Sequence, residues 1–281
     1  MTETEESGVD MSRGSFKLAD AETQNTAKLA MILDVMAQRP AVQTLKAWAL
    51  DQLAPAAGET AVDVGSGTGE DVVRFANLVG PEGRAIGVEP SPGLRAEAVR
   101  RAAAANVEFV DGYAGALPLE TESVDALRSE RVLQHVADPA GAVQDMARVL
   151  RPGGRIALID TDWSTAIVHP ADPAVLRRMV DYFLAGSANP YSGRRLRGLL
   201  AGAGLEITGE TAATWIEAQE GAREGFVSMM HLTSLEAGVI TRAEAEAFAQ
   251  GIADAADRGA FHLSLTMYAV SARKGTGMTS G

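Results

Sequence analysis

The sequence predicts an α/β protein built on a mostly parallel sheet with helices on both faces. Two observations carry this. Short apolar runs of strand character, TAVDV, RAIGVE, VEFVD, VDALRS and RIALIDT, alternate with the helix-compatible EDVVRFANLVG, GLRAEAVRRAAAA and PAGAVQDMARVL. Buried strands separated by helical connections pair in parallel, because each crossover lays a helix on the sheet. The first strand also runs through VDVGSGTGE, Val62 to Glu70, directly into a helix. Such a turn sits at the carboxyl end of a strand, where open sheets bind their ligands.

In chain order, residues 1–15 are polar and poor in large apolar groups, which predicts a flexible N-terminus. Residues 16–55 read as N-terminal helices. AKLAMILDVMAQ and VQTLKAWALDQL space their apolar residues by three and four, with Pro40 between them. Residues 56–161 hold the alternating strands and helices and form the cofactor-binding core. Its last helix stops at RPGG, where arginine suits a helix C-terminus, proline cannot continue it and the glycines permit the turn. Residues 162–191 break the rhythm and read as a substrate-side insertion. Residues 192–273 complete the fold with a helical cap: ITGETAATW is a strand candidate, about 217 to 258 are helical, and FHLSLTMYAVSARK alternates as a terminal strand. Residues 274–281 read as a flexible tail.

Composition narrows the function classes. Hydrophobic residues make up 46% of the 281 and aromatics only 5%, so alanine and other small aliphatics must fill much of the core. There is no cysteine, which excludes disulfides, thiolate chemistry and a cysteine-ligated zinc. The formal net charge of -12 repels phosphate backbones and anionic membranes. The opening MTETEESGVDMSRGS lacks the basic-then-apolar order of a signal peptide, and no stretch reads as a membrane span. The expectation is a cytoplasmic monomer or homodimer with a small-molecule substrate, no nucleic acid partner and no membrane.

The glycine loop selects among ligands. Gly65, Gly67 and Gly69 keep it thin, so a ligand can lie against the main chain. A dinucleotide fold wants G-x-G-x-x-G, but the chain reads G-x-G-x-G with Glu70 in the third glycine's place. Glu70 and Asp71 suit the positive end of a helix and repel a pyrophosphate placed there. No lysine follows for a nucleoside-triphosphate loop. Glu89 ends the second strand in AIGVEPS, next to the loop across a parallel pair, where a carboxylate can accept both ribose hydroxyls. A ribose without phosphate and an acidic rim suit a nucleoside with an amino-acid tail.

Taken together, VDVGSGTGE, GVEPS and DGYAGALPLETESVDALRSERVLQHVADPAGAVQDMARVLRPGGRIALID resemble the class I S-adenosylmethionine-dependent methyltransferases, the quinone-biosynthesis type and its small-molecule relatives in particular. The resemblance is strong from about 58 to 161 and weak at the terminal strand. It implies a Rossmann-like class I methyltransferase sheet, mostly parallel with an antiparallel terminal strand, and S-adenosyl-L-methionine as cofactor. The backbone of Gly65, Ser66, Gly67 and Gly69 would hold its methionine part, and Glu89, with Pro90 and Ser91 after it, the ribose. Asp63 resembles the acid that supports the loop, by contact or by bracing. The family usually reads Gly-Asp-Ala where this chain has Gly112, Tyr113 and Ala114. Either Tyr113 meets the adenine or Asp111 takes the acid's place, and the Ala114 backbone still contributes.

Methyl transfer needs an aligned nucleophile, and a base only if the acceptor keeps its proton near neutrality. Arg128 and Ser129 follow the fourth strand beside the cofactor. Arg128 either neutralises the cofactor carboxylate or an acidic substrate, or it makes a salt bridge to Asp63 or Glu130. Arg131 is a substrate-side candidate with the same ambiguity. His135, in ERVLQHV, is the candidate base, with helix bracing as the alternative, and Gln134 is a candidate cover for the adenine. Trp163, His169, Tyr182, Tyr191 and His231 are further substrate candidates, each equally able to pack within a cap. No histidine and carboxylate spacing forms a metal set. The leading expectation is O-methylation of a small organic molecule. The alternatives are N- or C-methylation, a cofactor-binding cyclase or isomerase, a nicotinamide-dependent oxidoreductase, and a non-catalytic binding protein.

Overall fold

A computed structural model describes residues 23–276 apart from 224. The expected flexible N-terminus, the first residues of the helical segment and the end of the tail lie outside the described residues. The chain divides into two units. The larger runs to Ala166, resumes over Asn189–Trp215 and takes up the chain again from Ser264. The smaller comprises Ile167–Ala188 and Ile216–Leu263.

The larger unit begins with α1 (Thr23–Ala37) and α2 (Pro40–Leu53). Then come β1 (Thr60–Val64), α3 (Glu70–Val79), β2 (Arg84–Val88), α4 (Pro92–Arg101), β3 (Val107–Val110), β4 (Val124–Glu130), α5 (Pro139–Val149) and β5 (Leu150–His169). After α7 (Ser192–Gly202) the sheet is completed by β6 (Glu206–Ile216) and β7 (His262–Arg273). The strand order is β3-β2-β1-β4-β5-β7-β6. β1 is parallel to β2 and β4, β2 to β3, and β4 to β5. The order reverses at β1, so the turns after β1 and β4 open into one crevice.

β7 runs antiparallel to both neighbours, as expected. Its end bonds the start of β5 through Gly153 and Lys274 (2.9 Å), and Thr266 N–H reaches Thr165 Oγ1 farther along β5 (2.9 Å). Against β6, Ser271 meets Thr208 (2.9 Å) and Thr266 meets Thr214 (3.1 Å). One expectation needs correction. The stretch 162–169, read as the start of an insertion, continues β5. Its β-branched Thr165, Ile167 and Val168 suit a strand, and β7 supplies a bond to it at Thr165.

The scarcity of aromatics is resolved by a division of labour between the sheet faces, because successive strand residues point to opposite sides. Val62, Val64, Ile86, Val88, Leu127, Ile156 and Leu158 face α5 and α7. Ala61, Ala85, Ala126, Ala157 and Ala269 face α2 and α3. Ala61 stands beside Ala85 on one side and Ala126 on the other. A row of single methyl groups lets the two helices lie close to the backbone, and Phe75 and Leu45 supply the bulk.

The smaller unit holds α6 (Pro173–Gly186), α8 (Gly225–Glu236) and α9 (Arg242–Asp257). Asp172 caps α6, and α9 opens with a capping box between Thr241 and Glu244. Phe183 and Phe226 pack edge to face at 5.2 Å. No helix among the described residues is long and apolar enough to cross a membrane.

Candidate functional site

The glycine loop is pinned where β1 ends. The N–H groups of Gly65 and Ser66 donate to the carbonyl of Val88 in β2 (2.8 and 3.2 Å). All three loop glycines have positive φ: +73° at Gly65, +53° at Gly67 and +82° at Gly69. That region favours residues without a Cβ. Space adds a second reason. A Cβ on Gly65 would overlap a methyl of Val132, and one on Gly69 would lie 2.5 Å from the Phe109 ring. Gly65→Ala should therefore destabilise the fold by about 1–3 kcal/mol through backbone strain and overlap. Urea unfolding would detect this, and wild-type stability would refute it.

Glu89 follows β2 and is buried. Its Oε2 accepts the Gly67 N–H at 3.0 Å and its Oε1 the Ser91 N–H at 2.9 Å. Burial raises its pKa, opposed by those two bonds and by Arg95. Each oxygen keeps a lone pair, so the carboxylate braces the loop and can still accept two hydroxyls. Ser91 caps α4 through Leu94 N–H (3.3 Å), with Pro90 just before it. The buried Ser66 hydroxyl has no hydrogen-bond partner among the described residues. An acceptor carboxylate, a spare buried hydroxyl and a loop with glycine at every second position fit a nucleoside lying on the main chain.

The adenine side is less furnished. Asp111 is exposed and paired with Arg95 at 2.6 Å. Arg95 also donates to the Glu89 carbonyl (2.6 Å). Tyr113 is 61% exposed, Ala114 is buried, and Gly112 is held tight against Pro118 and Val88. Tyr113 therefore has an open face and Asp111 a committed partner, and the choice between them rests with the ligand.

A buried ionic cluster supports the loop from behind. Arg128 stands opposite Asp63 across the β1–β4 pair. Its Nη1 meets Asp63 (3.2 Å) and Asp71 (2.9 Å), and its Nη2 meets Glu130. Lys46 of α2 completes the cluster, 2.8 Å from Asp71 and 3.4 Å from Glu70. Both terminal nitrogens of Arg128 are thus engaged by carboxylates. This is the salt-bridge alternative, and it removes Arg128 from the set free to neutralise a cofactor or substrate carboxylate. Burial pushes Asp63 up to about 7 even though Arg128 pulls it down. Asp71 stays below its ordinary value because Arg128 and Lys46 outweigh its burial. Ser129 donates to the Val64 carbonyl at 3.0 Å, tying β4 to β1.

Arg131 takes a positive φ of 56° and pairs with Glu130 at 3.0 Å. A second polar set lies between the turn after β4 and the middle of β5. Asp160 accepts from Gln134 N–H (3.0 Å), Thr161 N–H (2.8 Å) and Ser192 Oγ (3.0 Å). Trp163 Nε1 donates to Gln134 Oε1 at 2.9 Å, and Gln134 Nε2 lies 3.1 Å from His135 Nε2. Asn189 donates to the carbonyls of Leu133 and Val136, fixing the turn that carries His135. Tyr191 lies under the Arg194 guanidinium at 5.2 Å. His169, Tyr182 and His231 belong to the smaller unit. There His231 lies 6.0 Å from the Phe248 ring, its pKa lowered by burial.

Desolvation pushes Asp160 up to about 7 from 3.8, against three donors and Arg131. The folded state therefore holds this proton more tightly than the unfolded chain. Its contribution falls away as pH rises through that window, from about 4 to about 7. Asp160→Asn should remove the slope. Relative to wild type, the variant should gain stability in urea unfolding between about pH 5 and about pH 8. A constant difference would contradict the assignment.

Sequence reading missed Lys46, Asp160, Asn189 and Arg95. Lys46 did leave a signal: it occupies a position in the buried stripe of Val42, Leu45, Ala49 and Leu53. A charge there needs a buried partner. Asn189 and Arg95 act through contacts that no local spacing announces. Among the described residues no group of three or more histidines and carboxylates is placed to hold a metal.

A family model described as a methyltransferase domain matches residues 62–158. An uncharacterized 37.1 kDa protein in transposon TN4556 of Streptomyces fradiae is 33% identical over 250 residues, 86% of this chain and 70% of that one. A ubiquinone/menaquinone biosynthesis C-methyltransferase of Hahella chejuensis is 32% identical over 119 residues, 41% of this chain. The match spans 48% of that relative's own length. Among solved structures, the YcgJ protein from Bacillus subtilis superposes with a TM-score of 0.57 at 18% identity, over 84% of this chain and 99% of that one, a likeness of fold. With the sheet order, the loop bonded to Glu89 and these matches in agreement, the chain belongs to the class I S-adenosylmethionine-dependent methyltransferases, related to the quinone-biosynthesis type and other small-molecule methyltransferases.

Proposed function

We propose that the enzyme transfers the methyl group of S-adenosylmethionine to an oxygen of a small organic molecule whose acceptor is already ionised near neutral pH, a phenolate or an enolate. The cofactor supplies an electrophilic methyl on a sulfonium. One observation carries the choice of acceptor: the carboxylates at the ends of β1 and β4 and in the middle of β5 are committed. Asp63 and Glu130 face Arg128, and Asp160 accepts three hydrogen bonds. An acceptor that brings its own negative charge needs only alignment and exclusion of water.

Glu89 and the loop backbone would hold the ribose and the amino-acid tail, with Ser66 as an additional donor. Tyr113 would lie against the adenine, an open aromatic face suited to stacking. Trp163 and Tyr191 would form walls for a flat acceptor. Roles for His169, Tyr182 and His231 in substrate recognition rest on the sequence alone.

Incubation with methyl-¹³C-labelled cofactor and a panel of phenols, enols and quinols tests the reading. The expected result is release of S-adenosylhomocysteine together with a product whose labelled methyl resonates as an O-methyl. A second reading, transfer to carbon, has a specific ground in the similarity to the Hahella chejuensis C-methyltransferase. An enolate carries charge on carbon as well as oxygen, so the same site would serve. A labelled C-methyl would decide for it. Cofactor binding with no methylated product across the panel would refute both.

A further inference from the structure

The Gln134 side chain meets three groups, and their chemistry fixes more than its own orientation. Trp163 Nε1–H, at 2.9 Å, can only donate, so the amide oxygen must face it. The Arg131 carbonyl, at 3.2 Å, can only accept, so the amide nitrogen must face that side. Turning the amide over would set N–H against N–H and oxygen against oxygen. The remaining hydrogen on Gln134 Nε2 points to His135 Nε2, 3.1 Å away. A donor there requires a lone pair on the ring nitrogen.

We infer that Gln134, held by the Trp163 indole, is a positioning residue that sets the neutral His135 ring to the tautomer with its proton on Nδ1. Nε2 is then the only basic nitrogen of the neutral ring, and it is tied to Gln134. His135 consequently does not remove a substrate proton through Nε2 while this contact stands, and a protonated ring would turn an N–H against the amide N–H. The backbone fixes the same arrangement. Gln134 N–H is bound to Asp160, its carbonyl accepts Asn189 N–H at 3.1 Å, and Asn189 grips the turn on either side. The inference concerns the proton on one ring and stands whether oxygen or carbon is methylated.

Nitrogen-15 imidazole correlation spectra test it directly, at a pH where the ring is neutral. The chain has four histidines, so His135 can be assigned by the signal lost in His135→Asn. In the wild type, Nε2 should resonate as the unprotonated nitrogen and Nδ1 as the protonated one. Gln134→Glu presents only acceptors to the ring while keeping an oxygen for Trp163, so it should invert the tautomer. A protonated Nε2 in the wild type would overturn the inference with no variant needed, so it stays testable even if a substitution impairs folding. An unchanged Nδ1–H tautomer in folded Gln134→Glu would overturn it as well. A purely structural glutamine would move neither nitrogen signal.

Discussion

Arg128→Met should cost about 3–5 kcal/mol of folding stability, the usual consequence of removing one partner from a buried ionic group. Arg128 is 4% exposed and is the cation shared by Asp63, Asp71 and Glu130, which come from β1, α3 and β4. Methionine fills the volume but removes the cation that pairs with Asp63, leaving Asp71 to Lys46 and Arg74 and Glu130 to Arg131. The sign with pH follows from the charges. Without the guanidinium Asp63, already raised to about 7, is raised further, and Asp71 loses part of what holds it below its ordinary value. The penalty is then full at alkaline pH and shrinks as the acids are protonated. Urea unfolding at about pH 8 and about pH 5 should show the larger loss at the higher pH. Arg128→Lys should recover only part, because an ammonium cannot reproduce the planar fork. A loss under about 1 kcal/mol at the higher pH would mean that the cluster is not structural.

How much of this was legible beforehand depended on the range over which each signal acts. The alternation of strand and helix, the loop glycines and Glu89 are local patterns, written in a few consecutive residues, and the sheet follows them. The antiparallel last strand and the cofactor came from family resemblance rather than spacing. The outer half of β5 was misread because TDWSTAIVHPADP carries polar residues and ends at prolines, which resembles a loop. Its strand character comes from β7, about a hundred residues farther on, and long-range pairing leaves little trace in one strand.

The candidate site divides in the same way. Arg128 was readable as either a ligand-binding or a bracing residue. The register that sets it against Asp63, and the approach of Asp71 and Lys46 from two helices, decide between them. Gln134 and His135 were readable as neighbours of the crevice. That Trp163 and the Arg131 carbonyl together orient the amide is a fact of three dimensions, and it changes what the histidine nitrogen can do.

Glu89→Ala should weaken S-adenosylmethionine binding by about 10- to 100-fold, about 1.4–3 kcal/mol, the range for losing hydrogen bonds to a charged group. Two losses combine. The ribose hydroxyls lose their acceptor, and the N–H groups of Gly67 and Ser91 lose theirs, so the loop loosens where the cofactor would lie. Glu89→Gln should recover only a fraction, since its amide N–H2 must face one of those backbone donors. The carboxylate's protonation gives an independent check. Burial raises the Glu89 pKa, so in the wild type affinity should begin to fall at a pH above the ordinary carboxylate range and continue down through it. That loss should be absent from Glu89→Ala. Calorimetric titration over this range measures both effects. An alanine variant that binds like the wild type at neutral pH would show that the end of β2 does not hold the ribose.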